Sequence, residues 1–432
     1  MREYFDLLRR NRNYRYLWLG SVVSQLGDWF NLIASAEIIT NMTNSGVAIS
    51  YLFLARFLPL FLFSPLAGVL ADRYSRRRIM IVSDLLRALT VLGFLFVQAT
   101  GQIWLFYALT VMQFILSALF TPARSAVLSN VVEKDELVAA NALDSLTWST
   151  MLALGAFLGG VVAAVLGAEA AFILDALTFL LSAWFISRIV MAATDRKKIV
   201  QASSGWFDFV DGFRYLWHEP FILGIALVKA VGSLVWGGIN VLEITFAQEV
   251  FPFESLGLGD VLPVEDGGTA MLGLVYVVSG VGTGLGPIFM RRLLGDRFGR
   301  VMKGIGVGFV LLPIGILMIA FSTLFAGFLT GTLIRTVGSG TVWVFSAAML
   351  QRIVPDKYRG RVFAFEFAAL TLTQSISTFL AGVWQDAWGV RQATAVFGLL
   401  GLIAALLWFV FYAYSQKQSR NHRAGWVVSG VE

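Results

Sequence analysis

Four ionisable side chains lie near the middle of stretches that are otherwise apolar: Asp28, Arg56, Lys229 and Arg335. A charge near mid-bilayer costs roughly 2.5 to 3.5 kcal/mol on insertion scales, so such residues mark functional sites by default. At a rise of about 1.5 Å per residue, Asp28 and Arg56 lie roughly 18 Å and roughly 17 Å from the same end of their helices. We therefore expect them to form a partly buried ion pair. Its carboxylate can take up a proton, which makes Asp28 the first candidate for proton coupling.

Lys229 has no obvious partner at its own depth, and Glu366 near the inner end of the predicted span 361–386 is a candidate. An unpaired lysine in a cavity would instead suit an anion.

Twelve apolar stretches position these charges, and together they fill most of the 432 residues. About 20 apolar residues cross the hydrocarbon core, where only a helix satisfies its own backbone polar groups. Hydrophobic residues make up 57% of the chain and charged residues 14%, which is unlike a soluble domain. The predicted spans are 16–40, 47–71, 78–99, 103–128, 138–166, 169–190, 220–249, 270–294, 301–322, 325–353, 361–386 and 392–415. The sequence thus predicts an all-α polytopic membrane protein with twelve transmembrane helices.

Of the 33 Lys and Arg, 27 lie in the two terminal tails, in alternate gaps between the spans, or no more than three residues inside the adjoining span ends. By the positive-inside rule, both termini are expected in the cytoplasm. The net charge of +6 is then a topological signal, and we expect no nucleic-acid partner.

Several kinds of chemistry are disfavoured by what the chain lacks. It has no cysteine and two histidines, so thiolate or histidine metal sites are not expected. It carries no Walker loop, GxSxG elbow or HExxH motif, and no gap is large enough for an ATPase. We therefore expect neither an enzyme nor a cofactor, and any driving force must come from a gradient.

Six spans are repeated. The loop after span 2 reads Ala-Asp-Arg-Tyr-Ser-Arg from Ala71, and the loop after span 8 reads Gly-Asp-Arg-Phe-Gly-Arg from Gly295. We predict a six-helix bundle at 1–190, a cytoplasmic linker with an amphipathic helix at 191–219, a second six-helix bundle at 220–415 and a cytoplasmic tail at 416–432. The linker helix, which includes Trp206 and Trp217, lies either in the headgroup plane or across the base of the bundle.

Polar side chains recur at helical spacing in the first and fourth spans of each repeat, as expected for helices that line a water-filled cavity. Packing between helices is the alternative for the Ser and Thr residues among them. The candidates for a substrate cavity are Gln25, Asn31, Gln113, Arg124, Lys229, Trp236, Asn240, Arg335 and Trp343.

The segment Gly68–Arg78, which reads GVLADRYSRRR, resembles the GxLaDRxGRRR loop of the major facilitator superfamily. Gln25–Trp29, Phe120–Ala126 and Arg359–Phe363 resemble the branch that contains macrolide-efflux proteins and the enterobactin exporter. Ser75 replaces the usual glycine of the loop, and 155–160 lacks the Gly-Pro pair typical of drug antiporters. The resemblance implies two pseudo-symmetric bundles around a central cavity.

The two repeated loops also supply candidates for gating, because their charges can bridge to the facing half when one side closes. These candidates are Asp72, Arg73, Arg76, Arg77, Asp296, Arg297 and Arg300.

We expect a monomeric secondary active transporter in a prokaryotic cytoplasmic membrane. Its expected activity is proton-coupled export of an amphipathic organic compound, such as a macrolide or a siderophore, by alternating access. A translocator of lysophospholipids or other lipids is the alternative, and it would depend on bilayer composition rather than on a pH gradient. A receptor or scaffold without transport is a third hypothesis, although it has no need of charges at mid-bilayer.

Overall fold

The computed structural model describes residues 2–43, 45–97, 100–133, 136–190, 213–251, 267–295 and 297–422. Helices account for nearly all of these residues. In the N-terminal half the helices are α1 Arg2–Arg10, α2 Arg12–Thr43, α3 Gly46–Arg73, α4 Arg76–Gly93, α5 Ile103–Val131, α6 Leu137–Thr150 and α7 Ala156–Ser187. In the C-terminal half they are α8 Pro220–Ala226, α9 Val228–Thr245, α10 Gly267–Leu294, α11 Phe298–Phe321, α12 Phe325–Ile353, α13 Asp356–Trp388 and α14 Val390–His422.

Ten segments of the described residues are long and apolar enough to cross a membrane. They coincide with eleven of the twelve predicted spans, because predicted spans 5 and 6 fall together in one segment of 42 residues, Leu146–Ser187. The remaining predicted span, 16–40, lies inside α2, a helix of 32 residues. The polar and charged residues of α2 keep its mean hydropathy low, although its length suffices for a span.

Gly167 separates predicted spans 5 and 6. Its φ of 81° is costly for residues with a Cβ and breaks the helical path inside α7. The two arms of α7 run in opposite directions along α2. Before the break, Gly155 and Gly159 meet Trp29 and then Ile33; after it, Thr178 and Ser182 meet Gly27 and then Gly20. The chain therefore turns back at Gly167, and α2 packs between the two arms.

The two halves meet along a seam of small residues between α7 and α10. A Cβ added to Gly160 would stand 3.0 Å from the Cα of Gly273, and one added to Gly273 would stand 3.3 Å from the Cα of Gly160. Glycine therefore lets the two backbones approach directly, as in small-residue contacts between membrane helices. On the other side of the molecule, α3 packs against α13.

The described part of the predicted linker helix packs against α13. Tyr215 stacks on Tyr358 with ring centres 4.2 Å apart, and Phe213 lies 5.8 Å from Phe365. Leu216 is buried and Trp217 is exposed. This segment therefore has one face on the bundle and one face free, whereas Trp206 and the rest of the predicted amphipathic helix lie outside the described residues.

Arg391 follows the turn at Gly389 and lies at the end of the bundle opposite the chain termini. Its Nη1 donates hydrogen bonds to the carbonyl oxygens of Ser322 and, at 3.2 Å, of Ala320. These carbonyl oxygens lie at the C-terminal end of α11, so Arg391 acts as a C-terminal cap for a neighbouring helix.

Candidate functional site

A cavity of about 430 Å³ lies between the halves. Its wall includes residues of α2, α3, α5, α9, α10, α12 and α13, together with Trp148 and Leu152 near the π-helical turn Met151–Gly155. Seven residues singled out by sequence line it: Gln25, Asp28, Arg56, Trp236, Asn240, Arg335 and Trp343. Polar side chains from both repeats thus line the same cavity.

Asp28 and Arg56 are neighbours, but their contact differs from the predicted ion pair. Arg56 Nη2 donates to the main-chain oxygen of Asp28 at 3.5 Å, and Nη1 donates to Oδ1 of Asn31 at 3.4 Å. The guanidinium also lies 4.6 Å from the ring centre of Phe114. The two residues are level as predicted, but the rotation of α2 turns Asn31 and a carbonyl toward Arg56. The Asp28 carboxylate lies on the cavity wall.

Arg335 forms a buried bidentate ion pair with Glu243 of α9. Arg335 Nε donates to Glu243 Oε1 at 2.8 Å, and its Nη2 donates to Oε2. Thr332 Oγ1 donates to the same carboxylate at 3.0 Å. The side chains of Arg335 and Glu243 are 5% and 1% exposed, so the charges neutralise each other away from water.

Lys229 pairs with Glu366 of α13, the candidate partner named from the sequence. The Nζ of Lys229 lies 3.1 Å from Oε1 of Glu366, and both side chains are buried. The same ammonium lies 4.4 Å from the ring centre of Trp343. Lys229 therefore contacts Trp343, which lines the cavity, but is not itself among the residues that line it.

The aromatic part of the wall joins the two halves. Trp148 and Trp343 stack almost in parallel, with ring centres 6.5 Å apart, and Trp236 lies 6.5 Å from Trp343. On the opposite side Trp29 lies 5.1 Å from Tyr276. Flat aromatic faces close to charged groups can hold a molecule that has both polar and apolar ends.

Besides Lys229, three of the predicted cavity residues lie away from this wall. Asn31 and Gln113 are each 1% exposed. Arg124 pairs with Asp144 of α6, at 2.8 Å between Nη2 and Oδ2, and its Nε donates to Ser21 Oγ. Arg124 therefore ties α5 to α6 and α2. On α5, Phe114 lines the cavity in place of Gln113 and Arg124.

Sequence reasoning missed three buried charges in the N-terminal half: Asp84 and Arg87 on α4 and Asp175 on α7. They are 0%, 2% and 0% exposed. Asp84 and Arg87 stand one helical turn apart inside predicted span 78–99, and Asp175 stands inside span 169–190. An acid and a base three residues apart in an apolar stretch is a signal that could have identified the first two.

One end of the interface between the halves is held by Asp386 of α13. Its Oδ1 accepts a hydrogen bond from the amide of Gly46 at 2.7 Å, and its Oδ2 accepts from Ser45 Oγ at 2.7 Å and from the amide of Val47 at 3.2 Å. Nearby, Ser50 Oγ donates to the carbonyl oxygen of Thr378 at 2.6 Å. These contacts join α3 to α13 at the end remote from the chain termini.

The predicted gating residues are described in part. Arg77 Nε donates to the carbonyl oxygen of Ile186 at 3.2 Å, and its Nη2 donates to that of Ser187, so Arg77 caps α7 within its own half. Arg297 and Arg300 are exposed, and Arg76 is partly buried. Asp296 and the side chains of Asp72 and Arg73 lie outside the described residues.

The chain matches several bacterial transport proteins along most of its length. It is 28% identical over 93% of its length to the uncharacterized MFS-type transporter YfiS of Bacillus subtilis, of which 93% is covered. It is 24% identical to the putative bacilysin exporter BacE of Bacillus subtilis, with 96% of this chain and 98% of the relative covered. It is also 24% identical to macrolide efflux protein A of Streptococcus pyogenes, with 90% and 94% covered.

Among solved structures, a bacterial homologue of the human lysosomal transporter Spinster superposes with a TM-score of 0.71. The identity is 14%, and 93% of this chain and 97% of the other are covered. This similarity supports the all-helical fold. The family described as Major Facilitator Superfamily matches residues 17–264 and 261–428. The chain therefore belongs to the major facilitator superfamily and is a multi-pass secondary transporter of a small organic substrate rather than an enzyme.

Proposed function

We propose that this transporter exports an amphipathic organic compound in exchange for protons. The observation that carries the proposal is the cavity between the halves, where Asp28 and Arg56 lie on a wall that also contains nine aromatic side chains. Its volume of about 430 Å³ falls within the range of roughly 300 to 1,000 Å³ that holds drug-sized ligands. Relatives named as exporters of bacilysin and of macrolides support the outward direction.

The proposed mechanism is alternating access between bundles 1–190 and 220–415, joined by the linker 191–219 and followed by the tail 416–432. The hydrogen bonds of Asp386 support a state whose outer side is closed, if the termini are cytoplasmic as the distribution of Lys and Arg indicates. The glycine seam between α7 and α10 supports rocking of one bundle against the other. Asp28 is the proposed proton carrier and Arg56 its electrostatic partner.

The test is transport by purified protein in liposomes with an imposed pH gradient. Bacilysin, a macrolide, a catechol siderophore and a lysophospholipid are supplied separately, and liposomes without protein are the control. We expect saturable movement of at least one of the first three compounds, and collapse of the gradient with a protonophore should stop it. Transport that continues at the same rate after the gradient has collapsed would refute proton coupling.

A lipid translocator is the second candidate, and an apolar pocket on the flank of α3 and α5 favours it. This pocket of about 330 Å³ is lined by Tyr51, Leu54, Ala55, Leu58, Pro59, Leu62, Phe63, Tyr107 and Val111. Leu62 is 57% exposed, so an acyl chain can reach the pocket sideways from the bilayer. Movement of the lysophospholipid that varies with lipid composition and ignores the pH gradient would favour this function over drug export.

A further inference from the structure

Five ionisable side chains from four helices form what we term the N-half charge cluster: Asp28 of α2, Arg56 of α3, Asp84 and Arg87 of α4, and Asp175 of α7. Asp175 interacts electrostatically with Asp28, Arg56 and Arg87. Four of the five residues are at most 8% exposed, and Asp28 and Arg56 line the cavity described above. The cluster therefore extends from the cavity wall into the interior of the N-terminal half.

One pair within the cluster is already neutral. Arg87 Nη2 donates to Asp84 Oδ1, and Ser182 Oγ donates to Asp84 Oδ2 at 2.7 Å. The guanidinium of Arg87 lies between the rings of Phe120 and Phe179, at 4.5 Å and 4.4 Å from their centres. These ring contacts hold Arg87 in place, so the pair of Asp84 and Arg87 is a rigid part of the cluster.

Asp175 lacks an equivalent partner. Its Oδ1 accepts a weak hydrogen bond from Thr178 Oγ1 at 3.5 Å, and the side-chain amide of Asn31 lies close enough to interact with the carboxyl group. Its Oδ2 is buried and makes no hydrogen bond. Gly27 makes room for this carboxyl group, because a Cβ at Gly27 would overlap both Asp175 Oδ1 and Thr178 Oγ1. The carboxyl group thus packs directly against the residue that precedes Asp28.

The charges of the cluster do not balance. Three carboxyl groups face two guanidinium groups, and arginine does not lose its proton in proteins. The other ionisable group close to Arg56 is Tyr276 of α10, a neutral phenol that adds no positive charge. A net negative charge away from water is strongly unfavourable, and two carboxylates that share a site do not both ionise readily. One carboxyl group of the cluster must then hold a proton.

We propose that the N-half charge cluster binds a single proton shared between Asp175 and Asp28, and that this is the proton exchanged during transport. The second part of the proposal rests on the function proposed above, whereas the first part does not. Asp28 receives the proton from the cavity, and Asp175 holds it in the interior. Protonation gives the Asp175 carboxyl group an O–H donor, and one oxygen of this group is otherwise buried without a hydrogen bond. The Asp28 carboxylate, with which Asp175 interacts electrostatically, is the acceptor.

The C-terminal half offers a contrast that supports the assignment. Its two buried ion pairs, Glu243 with Arg335 and Lys229 with Glu366, each contain one acid and one base. Neither pair has an excess carboxylate that requires a proton. The difference between the halves therefore points to the N-terminal half as the place where protons bind.

Infrared difference spectroscopy of the purified protein in lipid nanodiscs tests the proton site directly. The wild type should show the carbonyl stretch of one protonated carboxylic acid near neutral pH, and this band should shift in D₂O. Asp175→Asn and Asp28→Asn each leave two acids facing two bases, so each should abolish the band. Asp144→Asn is the matched control, because Asp144 is a paired acid of the same half outside the cluster, and the band should remain.

Asp175→Glu checks that loss of the band does not reflect misfolding, since this variant keeps an ionisable group and should show a shifted band in a monodisperse protein. A wild type without the band, or a band that persists in both asparagine variants, overturns the proton site. If the band disappears in Asp175→Asn while transport keeps its full dependence on the pH gradient, the coupling role is overturned. Wild-type transport that ignores the gradient refutes the proposed function and leaves the proton site standing.

Discussion

The carboxylate of Asp386 caps the first turn of α3 through the amide of Gly46, at 2.7 Å. The acid belongs to α13 in the C-terminal half and the capped helix belongs to the N-terminal half. A negative charge at a helix N-terminus is favourable because the first amides have no partner within the helix. The contact therefore stabilises the arrangement of the two halves at one end of the cavity.

Asp386→Ala should increase the fraction of molecules in which the two halves are separated at that end. Loss of a helix cap costs about 1 kcal/mol, which corresponds to a roughly fivefold change in the equilibrium between closed and open states. The chain contains no cysteine, so Asn41→Cys and Trp388→Cys can carry spin labels without background. The distribution of distances between the labels should gain a longer component. Asp386→Asn keeps one acceptor oxygen and should give a smaller change, whereas identical distributions in all three proteins would contradict the prediction.

Gly160→Ala should impair transport by separating α7 from α10. The added methyl group would stand 3.0 Å from the Cα of Gly273, and backbone atoms cannot move aside as a flexible side chain can. Gly284→Ala is the control, because it lies on α10 in the same interface and its Cβ would meet Ser149 at 3.4 Å, an ordinary contact. Initial rates in liposomes at equal protein content should fall severalfold for the first variant and stay near wild type for the second. Equal rates would show that the seam tolerates a methyl group.

Glu243→Gln should destabilise the C-terminal half, because it leaves the buried charge of Arg335 without its partner. Breaking one side of a buried ion pair costs about 3 to 5 kcal/mol. Arg335→Gln should be similarly harmful, and the double variant should be less destabilised than the sum of the two single changes. Denaturant unfolding of the three variants in detergent, followed by circular dichroism, measures this coupling. Strict additivity would mean that the pair contributes nothing as a unit.

Trp343→Ala should weaken binding of aromatic substrates. The change removes contacts with Trp148 and Trp236 and exposes the ammonium of Lys229. Aromatic pairs contribute about 0.5 to 1.5 kcal/mol, so affinity should fall roughly two- to tenfold. Equilibrium binding of a radiolabelled substrate measures the loss. Trp104→Ala is the control, since Trp104 is 66% exposed on the outer surface, and Trp343→Phe should retain part of the affinity.

Asp28→Asn should uncouple transport from protons while substrate still binds. An amide has the shape of the carboxyl group but cannot exchange a proton, so the transport rate should no longer respond to an imposed pH gradient. Substrate affinity, measured by equilibrium binding at one pH, should change less than the transport rate. Gradient-driven transport at the wild-type rate in this variant would reject Asp28 as the carrier.

The depth of a residue in the bundle could be predicted well from sequence, and its direction could not. Asp28 and Arg56 were expected to be level, and they are neighbours, but the guanidinium meets the carbonyl of Asp28. Glu366 was named only as a candidate partner of Lys229, and the two form an ion pair. Depth depends on a rise of about 1.5 Å per residue, whereas an error of one residue turns a side chain by about 100° around the axis. A small error in a boundary therefore preserves depth and loses direction.

The same limitation explains the pairs that were missed. Arg335 was singled out as a charge at mid-bilayer, yet nothing in the polar spacing of its helix orients it toward Glu243. Their pairing depends on how α9 and α12 pack. Asp175 was overlooked for a different reason, because a single acid in an apolar span lacks the periodic pattern that marked the four polar helices.

Arg391 illustrates how a single basic residue can be tolerated on the side where the chain otherwise has few. Its guanidinium is held by the last carbonyl oxygens of α11, at the negative end of that helix. This capping contact therefore forms only when α11 and α14 have come together. If the clustered arginines of the other loops set the orientation as predicted, the insertion machinery encounters one isolated cation there, which is too weak a topogenic signal to reverse that orientation.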